Sequence, residues 1–340
     1  MKRYRSVIIG CGHRAAAHIE AYRHIDNAKI VACAAPTPTR RDAVAAKYGL
    51  TPYADAREMI AKERPDCVHI VTWPDTRVEL MTLVSEMNVP LCTTEKPLAT
   101  SITDYKALCA LADHTRTKFA VCHQMRWQKD LIACREAIAA GSIGSIPFID
   151  ISCGMNIAGQ GTHTLNYGRS LIGDPKAVTV FGNTNGWDDA DPGHPAPRST
   201  EAYITFDNGA RALWTSGPIS PRAGDPKTTW QHIRIGAHAS KGHVLWEEFG
   251  KWEIEGAAPS VGDFGGMDTW AKENSFAQAR FHQAMFGWLN DDTKIPGTSF
   301  TASLHECAVI FALYQSSVEH RPISMEDYVP PDNLMERMRS

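Results

Sequence analysis

Three stretches hold residues whose types and spacing suit chemistry. The first is Ser6–His18, in which an apolar run, Val7-Ile8-Ile9, meets Gly10-Cys11-Gly12 and an alanine-rich segment opens at His13-Arg14-Ala15. That order reads as strand, tight turn and helix. Glycine at position 10 permits a turn that a side chain would block. Glycine at position 12 lets the backbone come close to a pyrophosphate, and Ala15 takes the third place of the G-x-G-x-x-G/A pattern. The helix then offers its first N–H groups and its dipole to the anion. Cys11, His13 and Arg14 share this turn, and Arg14 carries the charge that suits phosphates. The second stretch is Thr93-Thr94-Glu95-Lys96-Pro97, and the third is Gly159-Gln160-Gly161-Thr162-His163-Thr164-Leu165-Asn166.

These residues need elements to position them. Strands are expected at Ser6–Ile9, Lys29–Cys33, Cys67–Val71, Pro90–Thr94 and Phe119–Cys122. Helices are expected at Ala15–His24, Arg40–Tyr48, Glu58–Lys62, Val78–Met87 and Ser101–His114. Strands alternating with helices imply right-handed crossovers and a doubly wound parallel sheet, with ligands at the carboxyl ends of its strands. After a helix at Gln128–Ala140 the rhythm changes. Pro147–Cys153, Ala177–Gly182, Glu201–Phe206, Ala210–Ser216, His232–Gly236, His243–Glu247 and Lys251–Glu255 read as strands, joined by turns such as Asp207-Asn208-Gly209 and by Pro/Gly/Asp-rich loops at Trp187–Thr200 and Pro218–Thr228. Strands without intervening helices imply a mostly antiparallel, open sheet. Phe276–Leu289 and Ser303–Ser317 return to helical spacing. The expected organisation is an α/β Rossmann domain over residues 1–123 and an α+β domain over 124–340, its C-terminal helix free to pack back on the first.

The end of the second strand bears on which dinucleotide is held. An acid usually sits there to bind the ribose 2′-hydroxyl. Here Ala35 is followed by Thr37, Arg40 and Arg41. A missing carboxylate removes repulsion against a 2′-phosphate, and an arginine can pair with one. The expected cofactor is NAD(P), with NADP favoured.

Composition removes several classes of function. The chain has 340 residues and a formal charge of -3, so nothing in its charge marks a nucleic-acid binder. Its 43% apolar and 21% charged residues fit a globular protein. Nine cysteines without a C-x-x-C pair fit reduced thiols in a cytoplasmic protein. The N-terminus is basic, but its apolar run breaks at Gly10, too short for a signal peptide. No stretch reaches membrane-spanning length. No metal site is expected: His238 and His243 flank a turn without a third ligand.

The glycine turn, the Glu95-Lys96-Pro97 step, the His123-Gln124-Met125-Arg126-Trp127 segment, the Gly144-Ser145-Ile146 step and the Glu201–Ala210 segment together resemble the glucose–fructose oxidoreductase / myo-inositol dehydrogenase / MocA (Gfo/Idh/MocA) family. The resemblance implies a nicotinamide-dependent oxidoreductase acting on a secondary hydroxyl or ketone of a sugar, polyol or sugar derivative. It implies that Lys96 stabilises or relays the hydroxyl proton, and that the peptide before Pro97 is cis. His163 matches the histidine of the family pattern D-x-G-x-H-x-x-D and is implied as base or acid. The two aspartates are replaced by Gly159 and Asn166. Thr72, Trp73, Glu95 and Gln124 are implied as cofactor contacts, and His123, Arg126, Asn156 and Asn166 as substrate contacts. Tyr167, Trp187, His194 and Trp230 add aromatic and polar groups that suit a carbohydrate. A homodimer or homotetramer built through the open sheet is implied. Two alternatives keep the fold: a redox-neutral glycosidase working by transient C3 oxidation, and a cofactor-binding sensor without catalysis.

Overall fold

The computed structural model describes residues 2–188, 193–221 and 228–339. Residues 189–192 and 222–227, inside the two Pro/Gly/Asp-rich loops, lie outside the described residues. The chain forms two compact units. The first comprises Met1–Ala99, Asp104–Trp127 and Asn274–Ser303, and the second comprises Thr100–Thr103, Gln128–Glu273 and Leu304–Ser340.

In the first unit, strands and helices alternate: β1 (Tyr4–Ile9), α1 (His13–Ala21), β2 (Ala28–Ala34), α2 (Pro38–Tyr48), β3 (Thr51–Tyr53), α3 (Ala56–Glu63), β4 (Cys67–Ile70), α4 (Arg77–Glu86), β5 (Leu91–Thr94), α5 (Ile102–His114) and β6 (Lys118–Val121). The six strands form one sheet in the order β3-β2-β1-β4-β5-β6, and every pair is parallel. The order reverses between β1 and β4, the place where doubly wound sheets leave a crevice for ligands. β1 and β4 read as apolar runs because both faces of a parallel sheet are covered, and β4 is buried along its whole length. Pro38 starts α2 and Asp55 caps α3, its carboxylate accepting from the Glu58 N–H at 2.7 Å.

The core of this unit draws on a segment distant in sequence. Ala279, Phe281, Met285, Phe286 and Trp288 join Tyr4, Ile8, Ile19 and Cys33 in one buried cluster. Phe286 stacks on Tyr4 with ring centres 4.4 Å apart. The linear split at residue 123 does not contain this return of the chain.

The second unit holds α6 (Lys129–Ala139), β7 (Phe148–Cys153), α7 (Thr162–Leu171), β8 (Ala177–Asn185), β9 (Ser199–Phe206), β10 (Arg211–Ser216), β11 (Ile233–Ala239), β12 (Gly242–Glu247), β13 (Lys251–Glu255) and β14 (Ser260–Asp263). Helix α8 (Met267–Asn290), most of which belongs to the first unit, helix α9 (Phe300–Glu319) and the short β15 (Ile323–Ser324) follow in the chain. Nine strands form one sheet, β14-β13-β12-β11-β7-β10-β9-β8-β15. All pairs are antiparallel except β7 with β10. α7 packs on this sheet, and Trp214 of β10 donates its indole N–H to Thr164 of α7 at 3.2 Å. On β8–β10, Phe181 is paired with Tyr203 and Tyr203 with Leu213, and all three side chains are exposed.

Candidate active site

The turn after β1 is built as its glycines require. Gly10 has φ +103°, and its N–H donates to Ala34 O at 2.9 Å. A Cβ at position 10 would stand 2.2 Å from the Val71 carbonyl oxygen. Gly12, by contrast, precedes α1 in extended geometry, with no side-chain cap on the helix and nothing within 4 Å of where its Cβ would be. The start of α1 has no side-chain cap, no acid in its first turn, and open space beside Gly12. This is the cradle a pyrophosphate needs, at the reversal point of the sheet, so the residues present fit a dinucleotide. Ala15 is fully buried under the turn.

Cys11 is buried with its sulfur toward Ala34 O, and His13 is exposed. Arg14 donates from its guanidinium to Glu95 Oε1 at 3.2 Å and to Gln278 Oε1 at 3.5 Å. At the end of β2, Ala35 is buried and its N–H donates to Tyr53 O at 3.2 Å. Thr37 precedes α2 without a side-chain cap bond, and Arg40 is exposed. Arg41 is occupied by Asp42 at 2.8 Å.

At the carboxyl end of β4, Thr72 accepts from the Thr76 hydroxyl at 2.7 Å, and Trp73 is 62% exposed. At the end of β5, the Glu95 N–H donates to Ile70 O at 3.0 Å and the Lys96–Pro97 peptide is cis. Glu95 is buried. Burial alone would raise its pKa, but Arg14, the His18 ring at 2.7 Å and Lys96 hold its carboxyl well below the usual range. Lys96 is half-buried between this carboxylate and the buried Pro97. His123, Gln124 and Arg126 are buried around the short 3-10 turn after β6. The Gln124 amide donates to Asn274 at 3.5 Å.

In the second unit, a single π-helical turn, Ile157–Gly161, leads into α7. Asn156 caps that turn: its oxygen accepts from the Gly159 N–H at 2.7 Å, and its amide donates to Asp188 at 2.9 Å and to His194 O at 3.1 Å. His163 lies in the first turn of α7, half-buried, its ring stacked on Tyr167 with centres 5.6 Å apart. Asn166 is fully buried and donates to Glu306 Oε1 at 2.9 Å, the oxygen that also takes Arg169 at 2.6 Å. His238 and His243 are cross-strand neighbours, each paired with a carboxylate, Asp150 at 2.6 Å and Glu255 at 2.9 Å.

Sequence reasoning missed two groups here. Arg77 is fully buried, with one N–H on Thr72 O at 3.3 Å, and burial brings its pKa down to about 10. His18, His69 and His282 meet in the core of the first unit beside Glu95. They stand on three separate elements, and no local spacing announces them.

A parallel six-stranded sheet with a glycine turn at its reversal point defines a dinucleotide-binding Rossmann unit. Residues 4–123 match the model of the Gfo/Idh/MocA oxidoreductase family, described as having an NAD-binding Rossmann fold. The chain is similar to a D-apiose dehydrogenase of Paraburkholderia graminis, 29% identical over 194 residues, 51% of this chain and 51% of that protein. A D-apiose dehydrogenase of Rhizobium rhizogenes is 27% identical over 200 residues, 53% of this chain and 57% of that protein. The matched region thus spans about half the length of these relatives. Among solved structures, an Agrobacterium radiobacter oxidoreductase in complex with NAD+, L-tartaric acid and magnesium superposes with a TM-score of 0.80 at 20% identity, covering 96% of this chain and 99% of that one. A putative myo-inositol dehydrogenase of Sinorhizobium meliloti gives 0.75 at 23%, covering 95% and 99%. These likenesses carry the two-domain fold. No helix among the described residues is long and apolar enough to cross a membrane.

Proposed function

We propose that this chain is a nicotinamide-dependent oxidoreductase acting on a secondary hydroxyl or ketone of a sugar or polyol. The observation that carries it is Lys96, set at the carboxyl end of β5 beside a carboxylate that stays charged, in the same sheet as an open glycine cradle. The bound dinucleotide would supply the hydride acceptor or donor. Gly12 and the start of α1 hold its pyrophosphate, and Thr72 and Trp73 line its far half. Arg40 and Thr37, next to the carboxylate-free Ala35, favour NADP over NAD.

Glu95 is too strongly acidic to take a proton near neutrality, so its part is to hold Arg14 and to face the Lys96 ammonium. Lys96 donates to the substrate oxygen and stabilises negative charge as it develops there. His163 serves as base or acid. The names of the relatives make D-apiose the first sugar to try, followed by myo-inositol. All nine cysteines are free thiols, in keeping with a reducing, cytoplasmic compartment. The exposed Phe181–Tyr203–Leu213 row is the surface through which a homodimer or homotetramer forms, and a monomeric mass by light scattering would overturn that part.

The test is Lys96→Ala, assayed for NAD(P)H formation over a sugar and polyol panel. Turnover should fall by roughly 10²–10⁴-fold, with NAD(P)H affinity kept within a few-fold. Undiminished turnover in that variant overturns the mechanism. Release of aglycone from an aryl glycoside without net NAD(P)H overturns the dehydrogenase reading in favour of a redox-neutral glycosidase.

A further inference from the structure

Helix α1, strand β4 and helix α8 each send one histidine into the same place in the core of the first unit. His18, His69 and His282 are buried, and one ring nitrogen from each lies within 4.8 Å of the other two. Ring centres are 4.5 Å apart for His69 and His282, 5.3 Å for His18 and His282, and 5.7 Å for His18 and His69. Three polar rings packed this tightly in an apolar core need partners.

The partners stand on one side of each ring. His18 Nε2 is on Glu95 Oε1 at 2.7 Å. His69 Nδ1 is on the Thr93 hydroxyl at 2.6 Å. His282 Nε2 is on the Gln278 amide at 3.1 Å. The opposite nitrogens are left over: Nδ1 of His18 and Nδ1 of His282 are buried without a hydrogen-bond partner. His69 Nε2 has only the Tyr22 hydroxyl, at 2.6 Å, and a weak approach from Cys67. Imidazole ligands of metals show this pattern, each ring fixed from behind by a carboxylate, hydroxyl or amide so that the other nitrogen is presented.

We propose that His18, His69 and His282 form a buried binding site for one borderline divalent cation of the zinc and cobalt class, ligated through His18 Nδ1, His69 Nε2 and His282 Nδ1. Three neutral nitrogens in a dry site select that class over magnesium or calcium. Metal–nitrogen bonds of about 2.0–2.1 Å put tetrahedral ligands roughly 3.4 Å apart, so the three rings draw together on binding. Two local changes accompany binding. The Tyr22 hydroxyl gives up His69 Nε2 and keeps Ser6, to which it donates at 2.7 Å. The Gln278 amide turns its oxygen toward His282 Nε2–H. Burial lowers the pKa of all three rings and so favours the neutral form that binds metal. The site stands whether or not the oxidoreductase reading does, since none of its ligands is a proposed catalytic group.

The experiment uses untagged full-length chain produced in cobalt-supplemented medium, dialysed, and measured for cobalt by elemental analysis and visible absorption. The expected result is about one cobalt per chain with visible absorption bands that arise from histidine nitrogen ligands. His282→Gln and His18→Gln should each lose the bands and the stoichiometry, with circular dichroism showing them folded. Tyr22→Phe, which keeps every ligand and removes the competing hydroxyl, should retain one equivalent and hold it severalfold more tightly against a chelator. The site is refuted by a wild-type chain with only trace cobalt, by histidine variants that hold cobalt as the wild type does, or by a Tyr22→Phe chain that loses it.

Discussion

Gly10 and Gly12 stand two residues apart and should answer the same substitution in opposite ways. At Gly10 an alanine Cβ meets the Val71 carbonyl oxygen at 2.2 Å and its carbon at 2.8 Å, and the backbone sits at φ +103°. The conformation alone costs a non-glycine residue about 1–3 kcal/mol, and forcing the β1 turn away from β4 adds a packing cost of about 1–3 kcal/mol. Gly10→Ala should therefore destabilise the first unit by about 2–6 kcal/mol, a fall in Tm of roughly 4–24 °C for a unit of this size. At Gly12 nothing lies within 4 Å of the new methyl. Gly12→Ala should leave Tm within about 2 °C, the change expected of a substitution that meets no neighbour. Its methyl instead stands where the pyrophosphate must approach, so NADH and NADPH affinity should drop by tenfold or more, about 1.4 kcal/mol. Differential scanning fluorimetry and fluorescence titration with NADH read the two effects separately. A Gly12→Ala chain that binds NADH as tightly as wild type, or a Gly10→Ala chain that melts with it, would refute the reasoning.

Three further outcomes follow from the same geometry. Asn166→Asp places a second carboxylate against Glu306, which already shares one oxygen with Arg169; like charges raise the pKa of the pair, so the variant should be near wild type at pH 5 and lose about 2–4 kcal/mol as pH rises to 8, read from melting curves at both values. Burial lowers the pKa of His18 and takes those of His69 and His282 well below the ordinary histidine value. Their contribution is complete above about pH 6.5 and lost as pH falls toward the folded values, with a slope of up to about 4 kcal/mol per pH unit if all three protonate on unfolding. Guanidinium titrations of metal-free protein at pH 7, 6 and 5 test this, and a flat profile contradicts it. Arg40→Ala should raise KM for NADP+ roughly tenfold while leaving NAD+ nearly unchanged; equal effects on both would show that Arg40 does not read the 2′-phosphate.

How much of this was readable in advance depends on whether a feature is local. β1 and β4 were legible because a strand covered on both faces is a continuous apolar run ended by a turn residue. The glycine turn was legible because its geometry is fixed within a few residues. β3, β14 and β15 were not, because each is four residues or fewer and gains its place from a neighbouring strand. α8 was placed at Phe276 but starts at Met267, since its first turns are polar and its apolar residues crowd the later half. The site divides the same way. That position 166 lacks an aspartate is visible in the sequence, but the carboxylate that meets it is Glu306, brought in by α9. The loss at one position and the acid at another are one buried arrangement: a carboxylate at 166 would crowd Glu306, and an asparagine there completes it. His18 lies in a helix and His69 in an otherwise apolar strand, and neither spacing pairs them with a ligand. Each makes sense only with α8 in the core, where a segment from the end of the chain brings His282 and Gln278 to rings already held by Glu95 and Thr93.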